Sequence, residues 1–281
     1  MTCAPFIPLA VATCLYAAHA VTCAVRPTAR GRKLWAMLGG ALALHAAFLV
    51  WRGVETGGAP VETRFDSASL FLWVAAVVFL AGRRPYGLAG MATLFWLAHA
   101  LAACTVWLLP GASSAPRSTV TRFLLVLHLT PVYVGYASFA VSTMAGATYL
   151  LQERLLRKKS AAALWRRFPS LEALERMDRA ALSLGFPMLT LGLAFGVLWA
   201  VMGSSPLRAS WHADPKVLGG FVVWLFYAAV LHVRLFVKMR GRHAALLTLV
   251  GFLLMLASFA TVHLYRDAPP AEPSAREAGT R

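Results

Sequence analysis

The stretch AALSLGFPMLTLGLAFGVLWAVM, residues 180–202, decides the fold. Its 23 residues hold no charged side chain. At a rise of about 1.5 Å per residue, a helix of that length reaches about 34 Å and crosses a hydrocarbon core of about 30 Å. Gly185, Pro187 and Gly192 weaken a helix in water but are common inside membrane helices. The segment reads as a membrane span.

Outward from it the pattern repeats. Apolar blocks lie at about 5–25, 34–51, 67–81, 86–109, 123–151, 217–237 and 243–264. With 180–202 they predict an all-α, polytopic integral membrane protein of about eight transmembrane helices. The third block is short for a full crossing, and the fifth is long enough to tilt or protrude. The first runs straight into a basic loop and lacks a basic leader, so it is read as a retained span rather than a cleaved signal. The domain reading is a four-span region at 1–122, a core at 123–265 and a disordered tail at 266–281.

Composition supports this class. Hydrophobic residues make up 59% of the 281 residues and charged residues 14%. Ordinary soluble domains run near 45–50% and about 25%, so a soluble enzyme is excluded. The net charge of +16 is then topological, and no nucleic-acid partner is expected. Cys3, Cys14, Cys23 and Cys104 form no CxxC pair, which argues against thiol exchange and a cysteine zinc site. No phosphate-binding glycine loop, HExxH or GxSxG motif occurs, and no self-contained catalytic site is seen.

Loop charge sets the orientation. Stretches 26–33, 82–87, 152–179 and 234–243 hold 18 of the 27 Lys and Arg residues. The opposite set, 52–66, 110–122, 203–216 and the tail, holds nine. The first set is expected in the cytoplasm, which puts both termini outside a bacterial inner membrane. Within 152–179, Ser170 is expected to cap a short amphipathic helix lying on the membrane surface, with Glu172 in its first turn. That stretch is either a solvated connector or a partner-docking surface.

An ionisable residue within a membrane is a functional-site hypothesis by default. His128, early in the fifth block, and His263, late in the eighth, are expected near the outer rim. Between them in sequence lies the outer loop 203–216, with Trp211 three residues before Asp214-Pro215-Lys216. Two imidazoles beside an aromatic ring suit a flat apolar ligand bearing acidic groups, such as a porphyrin. In that reading the iron is ligated by His128 and His263, and the ring stacks on Trp211. The acidic groups pair with Lys216, Arg208 or Arg122. The plainer alternatives are interfacial hydrogen-bonding histidines, a Trp211 in the interfacial belt, and an Asp214-Pro215 turn that starts a helix. His212 is a further loop imidazole and an alternate ligand. His45 and His99, deeper in the second and fourth blocks, form either an intramembrane pair or ordinary interhelical hydrogen bonds.

The ordered landmarks from residue 123 onward resemble the cytochrome c assembly membrane-protein family, whose members include CcsA-, ResC- and HemX-like proteins. They are Tyr149-Leu150-x-Gln152-Glu153, Gly185-Phe186-Pro187, Trp211-x-x-Asp214-Pro215-Lys216, Trp224-Leu225-x-Tyr227, Leu231-His232-x-Arg234 and His263-x-Tyr265. The resemblance implies a membrane protein that binds haem b non-covalently, as ligand or cargo, and presents it at the outer face for cytochrome c biogenesis. It also implies an assembly partner and an apocytochrome c as partners, and at most a component role in a haem lyase system. The residues it carries over are Trp211, Asp214 and Lys216 for the loop and His128 and His263 for the iron. The loop has one tryptophan where haem-delivering members have several, and Val217 replaces a glutamate. These departures point to the short HemX-like branch. Its alternative role is a regulatory or scaffold protein of tetrapyrrole and cytochrome assembly. A small-molecule transporter is the remaining reading, disfavoured because no acidic residue is expected centrally in a span.

Overall fold

A computed structural model describes residues 6–25, 32–58, 60–61, 63–86, 89–109, 119–158, 169–202 and 214–266. The described residues form eight helices and no strand: α1 Ile7–Val25, α2 Arg32–Thr56, α3 Arg64–Tyr86, α4 Ala89–Val106, α5 Thr119–Lys158, α6 Leu171–Met202, α7 Pro215–Phe236 and α8 Gly241–Arg266. Seven are long and apolar enough to cross a membrane; the apolar part of α4 is shorter, Met91–Val106. The chain is a multi-pass membrane protein. Large apolar side chains such as Leu225, Leu253 and Val250 face outward from the bundle, as bilayer contact requires.

Two expectations need correction. The third block is not short: α3 runs 23 residues, because Thr63 caps it four residues before the expected start at 67 and the helix continues beyond 81 to Tyr86. The Asp66 amide donates to Thr63 Oγ1 at 3.0 Å, while the Thr63 hydroxyl donates to Asp66 Oδ2 at 2.7 Å, a reciprocal cap. Nor is the helix capped by Ser170 separate from the sixth span. Ser170 does cap a helix, accepting from the Ala173 amide at 3.2 Å. That helix continues unbroken to Met202. Leu174, Met177 and Asp178 are buried, so this turn packs into the bundle rather than onto the membrane surface. The same helix also buries an acidic residue, Asp178, which the block boundary at 180 had left outside the span.

Helix α5 is the hub, packed against α3, α6 and α8. Small residues let the backbones approach, as is usual in membrane bundles. A Cβ on Gly185 would come within 2.6 Å of the Phe139 ring, and one on Gly192 within 2.4 Å of Val132. The core of the α5–α8 half is centred on Phe139 stacked over Tyr227, with ring centroids 3.6 Å apart and planes 5° off parallel. The α1–α4 half packs around Tyr16, Phe79, Phe95 and Trp96.

The basic end of the bundle is closed by charge. Arg234 on α7 donates to Asp178 on α6 at 2.5 Å and to the Ala244 carbonyl at 2.7 Å. Ser142 on α5 also donates to Asp178. Glu175 accepts from the Gly241 amide at 2.5 Å, where α8 begins with Gly241 at φ 71°. Four helices meet in this network.

Candidate functional site

At the opposite end, α5, α6, α7 and α8 enclose a largely apolar cavity of about 320 Å³. Its walls include His128, Tyr133, Tyr136, Trp199, Asp214 and Ser258. A volume of that order lies at the small end for ligand pockets. His128 projects from α5 against α6, and its Nδ1 lies 2.7 Å from the Gly192 carbonyl oxygen. A carbonyl only accepts, so Nδ1 carries the ring proton and a neutral ring presents its lone pair at Nε2. No hydrogen bond among the described residues occupies Nε2. This is the arrangement by which a backbone carbonyl orients a metal-ligating imidazole.

Two glycines make the contact fit. A Cβ on Gly196 would stand 2.8 Å from His128 Nδ1, so the imidazole occupies the space that a side chain would fill. Gly192 supplies the carbonyl one turn away. Trp199, a turn beyond Gly196, lies parallel to the imidazole, 6.3 Å between centroids and 6° between planes. Pro131 has no amide proton, so the Leu127 carbonyl beside His128 lacks its helical donor. The sequence reading missed Gly192, Gly196 and Trp199. The four-residue spacing of the glycines was the available signal; Trp199 carried none.

Asp214 lines the same cavity. Its carbonyl accepts from the Leu218 amide at 3.0 Å, so it caps α7 with Pro215 in the first helical position. Arg122 reaches another partner: its Nη1 donates to the Gly57 carbonyl at 3.0 Å and ties the α2–α3 turn to the start of α5. Trp211, Arg208 and His212 lie outside the described residues. Lys216 and His263 sit on α7 and α8, and their side chains lie outside the described set.

His45 and His99 come together around Tyr16. The Tyr16 ring centroid is 4.8 Å from that of His99 and 6.0 Å from that of His45. His45 Nε2 is 2.9 Å from Ser69 Oγ, and its Nδ1 is 3.4 Å from Tyr16 Oη. His99 Nε2 is buried with no partner among the described residues. Tyr16 is the missed member of this cluster; nothing in its local sequence marks it. Among the described residues no group of three or more His, Cys, Asp or Glu side chains could hold a metal ion. A haem iron, which needs only axial ligands from the protein, does not require such a group.

Comparison with known proteins covers most of the chain. The family model described as cytochrome C assembly protein matches residues 65–267. The match begins in α3, well before the landmarks from residue 123. Protein HemX of Brevibacillus brevis is 30% identical over 218 residues, covering 77% of this chain and 79% of that one. Protein HemX of Bacillus subtilis is 35% identical over 147 residues, 52% of each chain. Cytochrome c biogenesis protein CcsA of Prochlorococcus marinus is 27% identical over 240 residues, 76% of each.

Proposed function

Since the chain belongs to the cytochrome c assembly protein family, we propose that it acts in cytochrome c biogenesis by binding haem b at the outer face of the bacterial inner membrane and presenting it to an apocytochrome c in complex with an assembly partner. The observation that carries this reading is His128. Its proton is held on Nδ1 by the Gly192 carbonyl at 2.7 Å, and it lines an apolar cavity with Trp199 parallel to it. The residues fit the group: a neutral imidazole with a free Nε2 and aromatic walls, with Arg208, Trp211 and Lys216 close in sequence to the cavity residue Asp214.

In this reading His128 and His263 would hold the haem iron, and the positive-inside rule puts both termini outside. The bound haem supplies vinyl groups for thioether formation, with thiols from the apocytochrome. This chain's residues hold, orient and shield. The Gly192 carbonyl keeps the imidazole in its ligating tautomer. Trp199 and the α6–α7 wall keep water from the apolar edge. Loop 203–216, with Trp211, would cover one edge of the haem, where Arg208 and Lys216 would pair with its carboxylates. His45 and His99, around Tyr16, form a second, intramembrane pair for ligand transit. The domain division into 1–122, 123–265 and a tail follows the two halves of this task.

The test is the visible spectrum of the purified full chain with and without added haem. Wild type is expected to show a Soret band of six-coordinate iron. His128→Ala and His263→Ala should each shift it toward a five-coordinate form or lose it. A wild type that remains colourless in excess haem overturns the proposal. Two matches named HemX favour one second reading, a regulatory or scaffold protein of the same assembly system. Its contact surface would be the stretch 152–179, and mutating that stretch would abolish function while the spectrum stayed unchanged.

A further inference from the structure

At the end of the bundle away from His128, three guanidiniums surround one depression. Arg179 comes from α6, Arg234 from α7, and Arg240 from the turn between α7 and α8. Two carboxylates stand close by, and Glu175 lines the same depression, so its three guanidiniums are only partly offset. Asp178 pairs with Arg234, and Glu175 accepts from the Gly241 amide. Arg179 and Arg240 have no acidic partner among the described residues. Arg234 is 7% exposed, and its Nε is buried without a hydrogen-bond partner among the described residues. The enclosed part of the depression is about 10 Å³, room for a single oxygen-sized group. Directly after Arg234 in the chain, Leu235, Phe236 and Val237 expose 53%, 74% and 67% of their surface. Lys238 adds a further cation and takes a left-handed backbone, φ 55°, where the chain turns into α8.

We infer that this depression binds the phosphate of an anionic phospholipid, with one phosphoryl oxygen seated between Arg179, Arg234 and Arg240 and an acyl chain lying on Leu235, Phe236 and Val237. The chemistry needed is a phosphate-bearing anion: Arg179 and Arg240, without acidic partners among the described residues, beside the one free N–H of the buried Arg234 suit phosphoryl oxygens. The adjacent apolar strip favours a lipid over a soluble phosphate. Basic pockets between membrane helices are established sites for such headgroups. The site does not depend on haem binding at the opposite end. Its consequence is mechanical: Arg234 also holds α6 and the start of α8, so an occupied site braces the closed end of the α5–α8 half.

The experiment uses the full chain purified in neutral detergent, with dioleoyl-phosphatidylglycerol and dioleoyl-phosphatidylcholine in equimolar mixture and retained lipid counted by native mass spectrometry. Wild type should retain phosphatidylglycerol preferentially. Each guanidinium near the headgroup is worth about fivefold. Arg240→Gln, at an exposed turn residue, should lower the preference about fivefold, and the double variant Arg179→Gln/Arg240→Gln about 25-fold. Arg154→Gln, which removes one charge elsewhere on the same end, should leave the preference unchanged. Three results overturn the assignment. They are an unchanged preference in the double variant, an equal loss in Arg154→Gln, or displacement of the lipid by inorganic phosphate at matched concentration.

Discussion

The Thr143 hydroxyl of α5 donates to the Thr248 carbonyl of α8 at 3.3 Å, and this contact sets the register of the two helices. They run antiparallel. His128 lies fifteen residues before Thr143 and His263 fifteen residues after Thr248. Each is about 22 Å along its helix from the contact. Two residues 135 positions apart in sequence are thereby brought to one level of the bundle.

That register rests on Gly146, one turn from Thr143. A Cβ there would meet Thr248 Oγ1 at 2.9 Å and the Ala245 carbonyl at 3.2 Å. Gly146→Val is expected to push α8 away and to cost about 1–3 kcal/mol. Thermal unfolding in detergent should show the loss. Haem retention should fall as well, although residue 146 is far from the cavity. Unchanged retention in a destabilised variant would separate the α5–α8 register from ligand binding.

Gly196→Ala separates site geometry from stability. Alanine favours a helix over glycine by about 0.5–1 kcal/mol. Its Cβ, however, would stand 2.8 Å from His128 Nδ1 and displace the ring from the Gly192 carbonyl. The expected outcome is a melting temperature close to wild type with a Soret band shifted as in His128→Ala. A wild-type spectrum would show that the ring orientation does not matter.

The buried pair Asp178–Arg234 should behave asymmetrically. Removing one partner leaves an uncompensated charge and costs about 3–5 kcal/mol. Asp178→Ala and Arg234→Ala are each expected to lower the melting temperature sharply. The double variant Asp178→Leu/Arg234→Met should recover most of it, because both charges go together. If the double variant is as unstable as the singles, the Ser142 and Ala244 bonds carry the stabilisation instead.

The two inner histidines should also differ. His45→Leu leaves Ser69 and Tyr16 without their partner and is expected to cost about 1–2 kcal/mol. His99→Phe removes a ring whose Nε2 is already unsatisfied and should be neutral or stabilising in a thermal melt. A loss of cytochrome c maturation in His99→Phe, with stability retained, would assign the imidazole a task in ligand transit.

Much of this protein is legible along the chain. Hydropathy and loop charge are properties of short stretches, so the eight helices and the two ends of the bundle follow from them. Caps are equally local: Ser170 and Asp214 sit where the following residues require. The errors were local too. The block boundary at 180 followed charge rather than helix, because Glu172, Arg176 and Asp178 made a buried turn look like a solvated loop. Only partners from other helices reveal that Asp178 is neutralised by Arg234.

The linear order of residues determined that this chain lives in a bilayer, how often it crosses, and which histidines stand near an end, since each of these depends on neighbours within a turn or two. The tertiary structure alone decided which faces meet. It placed the Gly192 carbonyl on His128, Tyr16 between His45 and His99, and three arginines around one depression. Such contacts join positions tens of residues apart. They are selected by the fit of side chains across helix interfaces, for which no one-dimensional pattern carries the coordinates.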